Sequence, residues 1–207
     1  MNNILLEGNQ YFSEKLKIYG PTPKGVDWNS EPSQILRFQE FAKLLPLKGT
    51  KFTFCDFGCG YGAFLEFIRD KNPELVYTGY DINEDMIKSA QEMFKSFDLS
   101  PNWTTSLVQG QQFEYTMACG VLNLKLHATD NEWIDHVKFT LHELNSITSN
   151  TFAFNILTSY SDPDKKKDYL YYADPCFWFD YCIKNFSKNV SLRHDYGAYE
   201  FIIQVKK

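Results

Sequence analysis

Short apolar runs alternate along this chain with amphipathic stretches of helical period. Ile35, Leu36, Phe38, Phe41, Ala42, Leu44 and Leu45 recur at helical spacing between Pro32 and Pro46, which open and close a helix. Lys51–Phe57 is a β-type run that leads straight into a glycine cluster and then a helical stretch, Ala63–Lys71. A strand over Leu75–Tyr80, a helix over Glu84–Phe97 and strands over Thr104–Val108 and Glu114–Val121 follow. The amphipathic stretch Asn131–Ser149, the run Thr151–Leu157, a polar loop at Ser159–Asp168 and a helix around Cys176–Phe186 complete the alternation. Two β runs, Asn189–His194 and Tyr199–Lys206, close the chain around Tyr196-Gly197. The order predicts an α/β fold: a doubly wound, mostly parallel seven-stranded sheet with an antiparallel C-terminal hairpin.

The first 30 residues break this pattern. They are polar and turn-rich up to Gly20-Pro21-Thr22-Pro23-Lys24-Gly25, with one short helix expected near Tyr11–Ile18. Residues 1–32 therefore read as an arm or lid on a domain spanning 33–207. Composition narrows the class. A chain of 207 residues with 43% hydrophobic and 17% aromatic residues builds a full core and excludes a disordered protein. The net charge of −5, with Arg only at positions 37, 69 and 193, argues against a nucleic-acid partner. No apolar run approaches the roughly 20 residues of a membrane span, and Met1-Asn2-Asn3-Ile4 has no leader character. Cys55, Cys59, Cys119, Cys176 and Cys182 form no CxxC pair, so neither a metal nor a disulfide framework is expected. The expectation is a reduced, cytoplasmic, soluble domain, monomer or homodimer.

Asp56-Phe57-Gly58-Cys59-Gly60-Tyr61-Gly62 lies at a strand-to-helix turn, where open α/β sheets bind ligands. Gly58 and Gly60 bring no Cβ, so a ligand can lie on the backbone. The spacing is Gly-x-Gly-x-Gly, not Gly-x-Gly-x-x-Gly, and Asp56 precedes Gly58 by two. A carboxylate there suits a cationic ligand better than a pyrophosphate.

These residues resemble the first motif of class I S-adenosylmethionine-dependent methyltransferases, a Rossmann-like family, at every fixed position. The resemblance spans roughly residues 33–207. It implies that Asp56, Gly58, Cys59, Gly60 and Gly62 cradle the cofactor, with S-adenosylhomocysteine as product. It implies that Asp81, 19 residues past Gly62, holds the ribose hydroxyls, with Ile82 and Met86 flanking adenine. The segment Ala118-Cys119-Gly120-Val121-Leu122-Asn123 would run beneath the methionine moiety, with Cys119 and Gly120 in contact. Family members often carry an acidic residue after the third strand for the adenine amino group. Here that slot reads Val108-Gln109-Gly110-Gln111-Gln112, so a glutamine side chain such as Gln111, or the backbone, could take its place. The arm Gly25-Val26-Asp27-Trp28-Asn29-Ser30 and the ending from Leu192 to Phe201 further resemble small stand-alone bacterial members. Many of these are encoded beside surface-polysaccharide or secondary-metabolite genes.

Tyr11, Tyr19, Trp28 and Arg37 are candidates for closing over the cofactor. His194, with Asp195 adjacent, is the first candidate base, and His127 the second; a turn cap is the plain alternative for His194. Substrate contacts are expected from Asn123, Tyr160, Tyr169, Tyr172, Arg193 and Tyr196, and Lys165-Lys166-Lys167 could draw an anion. His136 and His142, inside the long helix, suit packing. Asp174-Pro175-Cys176-Phe177 reads as a helix start, with Asp174 as N-cap. The fourth-strand segment lacks the Asp/Asn-Pro-Pro-Tyr/Phe motif of amino-group methyltransferases. The expected activity is methyl transfer to a hydroxyl or carboxylate oxygen of a small metabolite, such as a sugar or a phosphorylated intermediate of surface-polysaccharide synthesis. The alternatives are a macromolecular (protein or RNA) methyltransferase, a binding-only module and a nicotinamide oxidoreductase.

Overall fold

A computed structural model of the chain describes residues 3–96 and 100–207. In chain order the elements are α1 (Asn3–Tyr19), α2 (Glu31–Ala42), β1 (Phe52–Phe57), α3 (Ala63–Ile68), β2 (Leu75–Tyr80), α4 (Glu84–Phe94), β3 (Asn102–Thr104) and β4 (Phe113–Ala118). Then come α5 (Asp130–Ile147), β5 (Thr148–Leu157), α6 (Pro175–Asn185), β6 (Asn189–Arg193) and β7 (Glu200–Lys206), with short 3-10 turns at Pro23–Val26 and Pro163–Lys165. The seven strands lie in the order β3-β2-β1-β4-β5-β7-β6. The pairs β1–β2, β2–β3 and β4–β5 are parallel; β5–β7 and β6–β7 are antiparallel. The fold is thus α/β, with a mostly parallel sheet closed by antiparallel C-terminal strands. The chain divides into two compact units, Met1–Gln111 and Gln112–Lys207.

In the first unit, rings form a continuous path across the helices and strands. Phe38 of α2 meets Phe64 of α3 (5.3 Å), Phe64 meets Phe54 of β1 (5.6 Å), and Phe54 meets Tyr77 of β2 (5.9 Å). Tyr77 meets Trp103 of β3 (5.4 Å), which also meets Phe94 of α4 (5.4 Å). Such aromatic pairs add to the burial that holds helices on a sheet. Ser30 caps α2 through the Ser33 amide, and Asn83 caps α4 through the Asp85 and Met86 amides.

In the second unit, a Thr129/Glu132 capping box starts α5. Trp133 donates its indole N–H to the Leu122 carbonyl (3.0 Å), and the buried Trp178 donates to the Tyr171 hydroxyl (3.3 Å). Asp174 caps α6 with Pro175 in the first turn, as the sequence suggested.

Several boundaries differ from the sequence expectation. The arm helix runs from Asn3, not from Tyr11, and passes through Gly8. The third strand is Asn102–Thr104, not Thr104–Val108. Only those three residues pair with β2, and the Thr104 hydroxyl then accepts from the Ser106 amide and turns the chain away. The fourth strand stops at Ala118, because Gly120 (φ +79°) donates its amide to the Asn155 side chain instead of a ladder partner. The third helix ends at Ile68, whose carbonyl takes both the Lys71 and Asn72 amides. Phe97, the expected end of the fourth, lies outside the described residues.

Gly79, inside β2, has a specific packing reason. A Cβ there would lie 2.4 Å from two atoms of the Trp103 indole and 3.0 Å from the Cys59 sulfur. Gly79→Ala is expected to cost about 1–3 kcal/mol by overpacking and to lower the melting temperature by several degrees. Adding Trp103→Leu should cost less in the Gly79→Ala background than in the wild type. Additive losses in calorimetric melts would show that the two residues do not compete for this space.

Candidate functional site

The first unit carries the glycine turn. β1 delivers Asp56, and the chain then passes through Gly58 (φ +78°), Gly60 (φ +54°) and Gly62 (φ +87°). All three are left-handed, so a side chain at any of them is strained. The Gly58 and Cys59 amides donate to the Tyr80 carbonyl (2.7 and 3.0 Å), which ties the turn to the end of β2. Gly62 caps α3 without a side chain, and the indole of Trp103 fills the space a Cβ would need there.

Asp81, just past β2, receives the Gly60 amide on Oδ2 and the Asn83 amide on Oδ1, both at 2.9 Å. Each carboxylate oxygen keeps a lone pair for a further donor. Burial raises the Asp81 pKa, and the two amides oppose that rise. Asp56 is only 3% exposed and accepts the Tyr77 hydroxyl at 2.7 Å. Burial pushes its carboxyl up to about 7; the Tyr77 hydrogen bond works against this, and nearby Asp81 adds to it. Cys59 is buried between these carboxylates, and burial first, then Asp81 and Asp56, hold its thiol well above the usual range. It is therefore a poor nucleophile.

The arm lies on this turn. Val26 is 3.1 Å from the place a Gly60 Cβ would occupy. Tyr11 donates its hydroxyl to Asp27 Oδ2 and Lys15 donates to Asp27 Oδ1, both at 2.8 Å. The Tyr11 hydroxyl is pushed up to about 12, by burial and then by Asp27. The Arg37 guanidinium sits 4.8 Å from the Trp28 ring centre and donates to the Ser33 carbonyl (2.6 Å). Ile82 is half-buried beside Asp81. Met86, expected against adenine, is buried (1% exposed) in the first turn of α4. Gln111 accepts the Val108 amide and closes its own loop. Trp103 and Asn83 went unnoticed in the sequence; the Gly79 in Thr78-Gly79-Tyr80-Asp81 was the available sign that something large packs on β2.

The second unit sets two loops side by side. Tyr171 donates its amide to the Asn123 carbonyl (2.8 Å), and the Lys125 and Leu126 amides donate to the Tyr169 carbonyl (3.1 and 3.0 Å). Two asparagines fix the turn after β4. Asn155 Oδ1 takes the Gly120 amide (2.7 Å), and Asn123 Oδ1 takes the Leu157 amide (2.9 Å). Asn155 is fully buried, and its Nδ2 has no partner among the described residues. The sequence reading passed over it, although a polar residue in Phe152–Leu157 was the signal. Cys119 is half-buried at this turn.

Tyr172 accepts the Lys167 amide at 3.0 Å, and Lys166 and Lys167 lie 5.5 Å from the Tyr172 and Tyr169 rings. His194 is exposed, with its ring 6.1 Å from that of Tyr160, which is 70% exposed. No hydrogen bond joins His194 to Asp195 among the described residues. Tyr196 donates to Glu200 (3.3 Å), Arg193 is half-buried on β6, and His127 is exposed before α5. His136 packs on Trp133 (4.9 Å), and His142 meets the Tyr181 hydroxyl (3.2 Å), as their helical positions suggested.

The raised Asp56 carboxyl has a pH consequence. The ordinary value is 3.8 and the folded value about 7, so between them the folded chain binds more protons than the unfolded one. Its contribution to stability falls as pH rises from about 4 to about 7 and is flat above that. Asp56→Asn keeps an acceptor for Tyr77 and removes the titration. Denaturant midpoints from pH 5 to 8 should show the wild type losing stability relative to Asp56→Asn up to about pH 7. A constant difference over that range would contradict the raised value.

Comparison with known proteins agrees with this geometry. A family profile described as "Methyltransferase domain" matches residues 55–143, which include the glycine turn and Asp81. The chain is 41% identical over 156 residues to "Putative methyltransferase Rv1506c" of Mycobacterium tuberculosis, covering 75% of this chain and 93% of that protein. In fold it is similar to magnesium protoporphyrin IX methyltransferase from Synechocystis PCC 6803 with bound S-adenosylhomocysteine (TM-score 0.59, 16% identity, 84% of this chain and 80% of that one). It is similar also to phosphoethanolamine N-methyltransferase 1 of Haemonchus contortus with phosphoethanolamine and S-adenosylhomocysteine (TM-score 0.65, 10% identity, 100% of this chain and 50% of that one). The residues fit the cofactor: the left-handed glycine turn sits at the strand end beside Asp81, which keeps acceptor capacity for a pair of hydroxyls. With the relative's identity and coverage, this shows that the chain belongs to the class I S-adenosylmethionine-dependent methyltransferases.

Proposed function

We propose that this methyltransferase transfers the methyl group to an oxygen, hydroxyl or carboxylate, of a small metabolite. The observation that carries the choice of oxygen lies at the end of β4. The Asp/Asn-Pro-Pro-Tyr/Phe motif that marks amino-group methyltransferases at this place is absent. Here Asn123 Oδ1 is committed to the Leu157 amide and Asn155 Oδ1 to the Gly120 amide. The segment just before Asn123, Cys119–Leu122, has no side-chain carbonyl or carboxylate.

S-Adenosylmethionine, when bound, supplies a methyl group on a sulfonium for in-line displacement by the acceptor oxygen. The chain's part is to bind and orient. Asp81 holds the ribose hydroxyls, the Gly58–Gly62 turn gives its backbone to the cofactor, and Arg37 on Trp28 offers a cation to its carboxylate. Residues 1–32 act as an arm on the 33–207 domain. Tyr160, Tyr169, Tyr172 and the lysines at 165–167 are the acceptor side, and that charge suits a phosphorylated or acidic metabolite. The net charge of −5 and the three arginines favour a small acceptor over RNA. The likeness of the arm and the ending to small bacterial members supports a sugar intermediate of surface-polysaccharide synthesis, in the cytoplasm. No described helix is long and apolar enough to cross a membrane.

Calorimetric titration should show S-adenosylhomocysteine binding that Asp81→Ala weakens by at least about tenfold, the loss of a hydrogen-bonded charged anchor. Unchanged binding would remove Asp81 from the ribose. Label from methyl-labelled cofactor, offered with sugar phosphates and small hydroxy acids, should appear as an ether or as a base-labile ester; an N-methyl product would overturn the oxygen assignment. With a hydroxyl acceptor, His194→Asn should lower kcat by about 10²–10⁴, and with a carboxylate acceptor it should not. A fall in kcat on an ester-forming acceptor would contradict the base role.

A further inference from the structure

We propose that Asn83 is a positioning residue that latches the N-terminal helix over the cofactor end of the site, so that α1 and the 3-10 turn retain the bound cofactor; this rests on the cofactor reading above. Asn83 is buried, and its amide and side chain bond to three places: Asp81, α4 and α1. Its backbone amide donates to Asp81 Oδ1 (2.9 Å), and its Oδ1 accepts the Asp85 and Met86 amides at the start of α4 (2.9 and 3.0 Å). Its Nδ2 donates to the Asn9 carbonyl (3.0 Å) and to the Ser13 hydroxyl (2.9 Å), both on α1. Ser13 in turn donates to Asp85 Oδ2 (3.1 Å). One side chain thus joins the arm to the residue that fixes the ribose-binding carboxylate.

The contacts close into a ring. α1 holds the 3-10 turn through Tyr11, Lys15 and Asp27, and the turn lays Val26 on Gly60. Gly60 donates its amide to Asp81 Oδ2, and Asp81 leads back through Asn83 to α1. Within the ring, α1 is the weakly held member. No residue of it is buried, and Leu6, Ile18 and Tyr19 are exposed. An element docked by polar contacts with little buried apolar surface opens at low cost. The Asn83 and Ser13 contacts therefore set how often it opens.

The test separates the latch from the helix cap. Asn83→Asp keeps the cap, since aspartate is an equally good N-cap, but turns a carboxylate oxygen toward the Asn9 carbonyl. Its melting temperature should stay near that of the wild type. Bound S-adenosylhomocysteine, followed by stopped-flow displacement, should leave about tenfold faster, equivalent to about 1.4 kcal/mol. Trypsin should cut after Lys15 and Lys17 faster, with or without S-adenosylhomocysteine. Ser13→Ala, which touches no cap, should move both readouts the same way and carries the test if Asn83→Asp does not fold. Unchanged dissociation or unchanged cleavage in a folded variant overturns the proposal. Failure of the wild type to bind S-adenosylhomocysteine would overturn the cofactor reading instead, and the cleavage rates would still report whether the latch exists.

Discussion

The amide of Gly60 donates to the carboxylate of Asp81, and the rest of the first unit is arranged around that bond. It can form only if the chain after β1 takes the left-handed path of Gly58, Gly60 and Gly62. It also requires a carboxylate at the very end of β2, the neighbouring parallel strand. Parallel pairing of Phe57 with Tyr80 sets the two strand ends level, so the turn and Asp81 meet without adjustment. The same bond costs something. Asp81 lies close enough to push the buried Asp56 carboxyl further up, and the amides of Gly60 and Asn83 offset the burial of Asp81 only in part. A cation brought to this place relieves that strain, which is the electrostatic case for a sulfonium cofactor and against a pyrophosphate.

Two glycines near this bond serve different ends. Gly60 is glycine because of its backbone conformation and because Val26 lies on it. Gly79 is glycine only because Trp103 lies across it and reaches Gly62 as well. The ring path from Phe38 through Phe54, Tyr77 and Trp103 to Phe94 thus ends against the underside of the ligand turn. Core packing and ligand geometry share atoms there, so a change in β3 is felt at the turn.

What could be read in advance follows from how local each signal is. The glycine turn and Asp81 are fixed by backbone shape and by position at strand ends, both of which leave marks at a constant spacing. The strands were legible from apolar runs. β3 was misplaced because three paired residues carry too little pattern, and the apolar Val108 lies exposed in a loop. The length of α1 was hidden for a related reason: it buries no residue and is held by side-chain hydrogen bonds from α4, which leave no period in its sequence. Asn155 and Asn83 were missed because a single asparagine looks alike whether it faces water or fastens two segments.

The acceptor side resists the same treatment for a chemical reason. A hydroxyl must lose a proton during methyl transfer, so it needs a base held in one orientation. A carboxylate or phosphate oxygen needs only to be placed. His194 is exposed, stacks loosely near Tyr160 and receives no support from Asp195 among the described residues. Around it the tyrosines and lysines of the β5–α6 loop bond mainly to one another and to backbone. Such a loop contributes charge and aromatic surface rather than an oriented proton acceptor. A carboxylate acceptor would therefore ask only binding and alignment of these residues, whereas an alcohol would also ask for a base held in place.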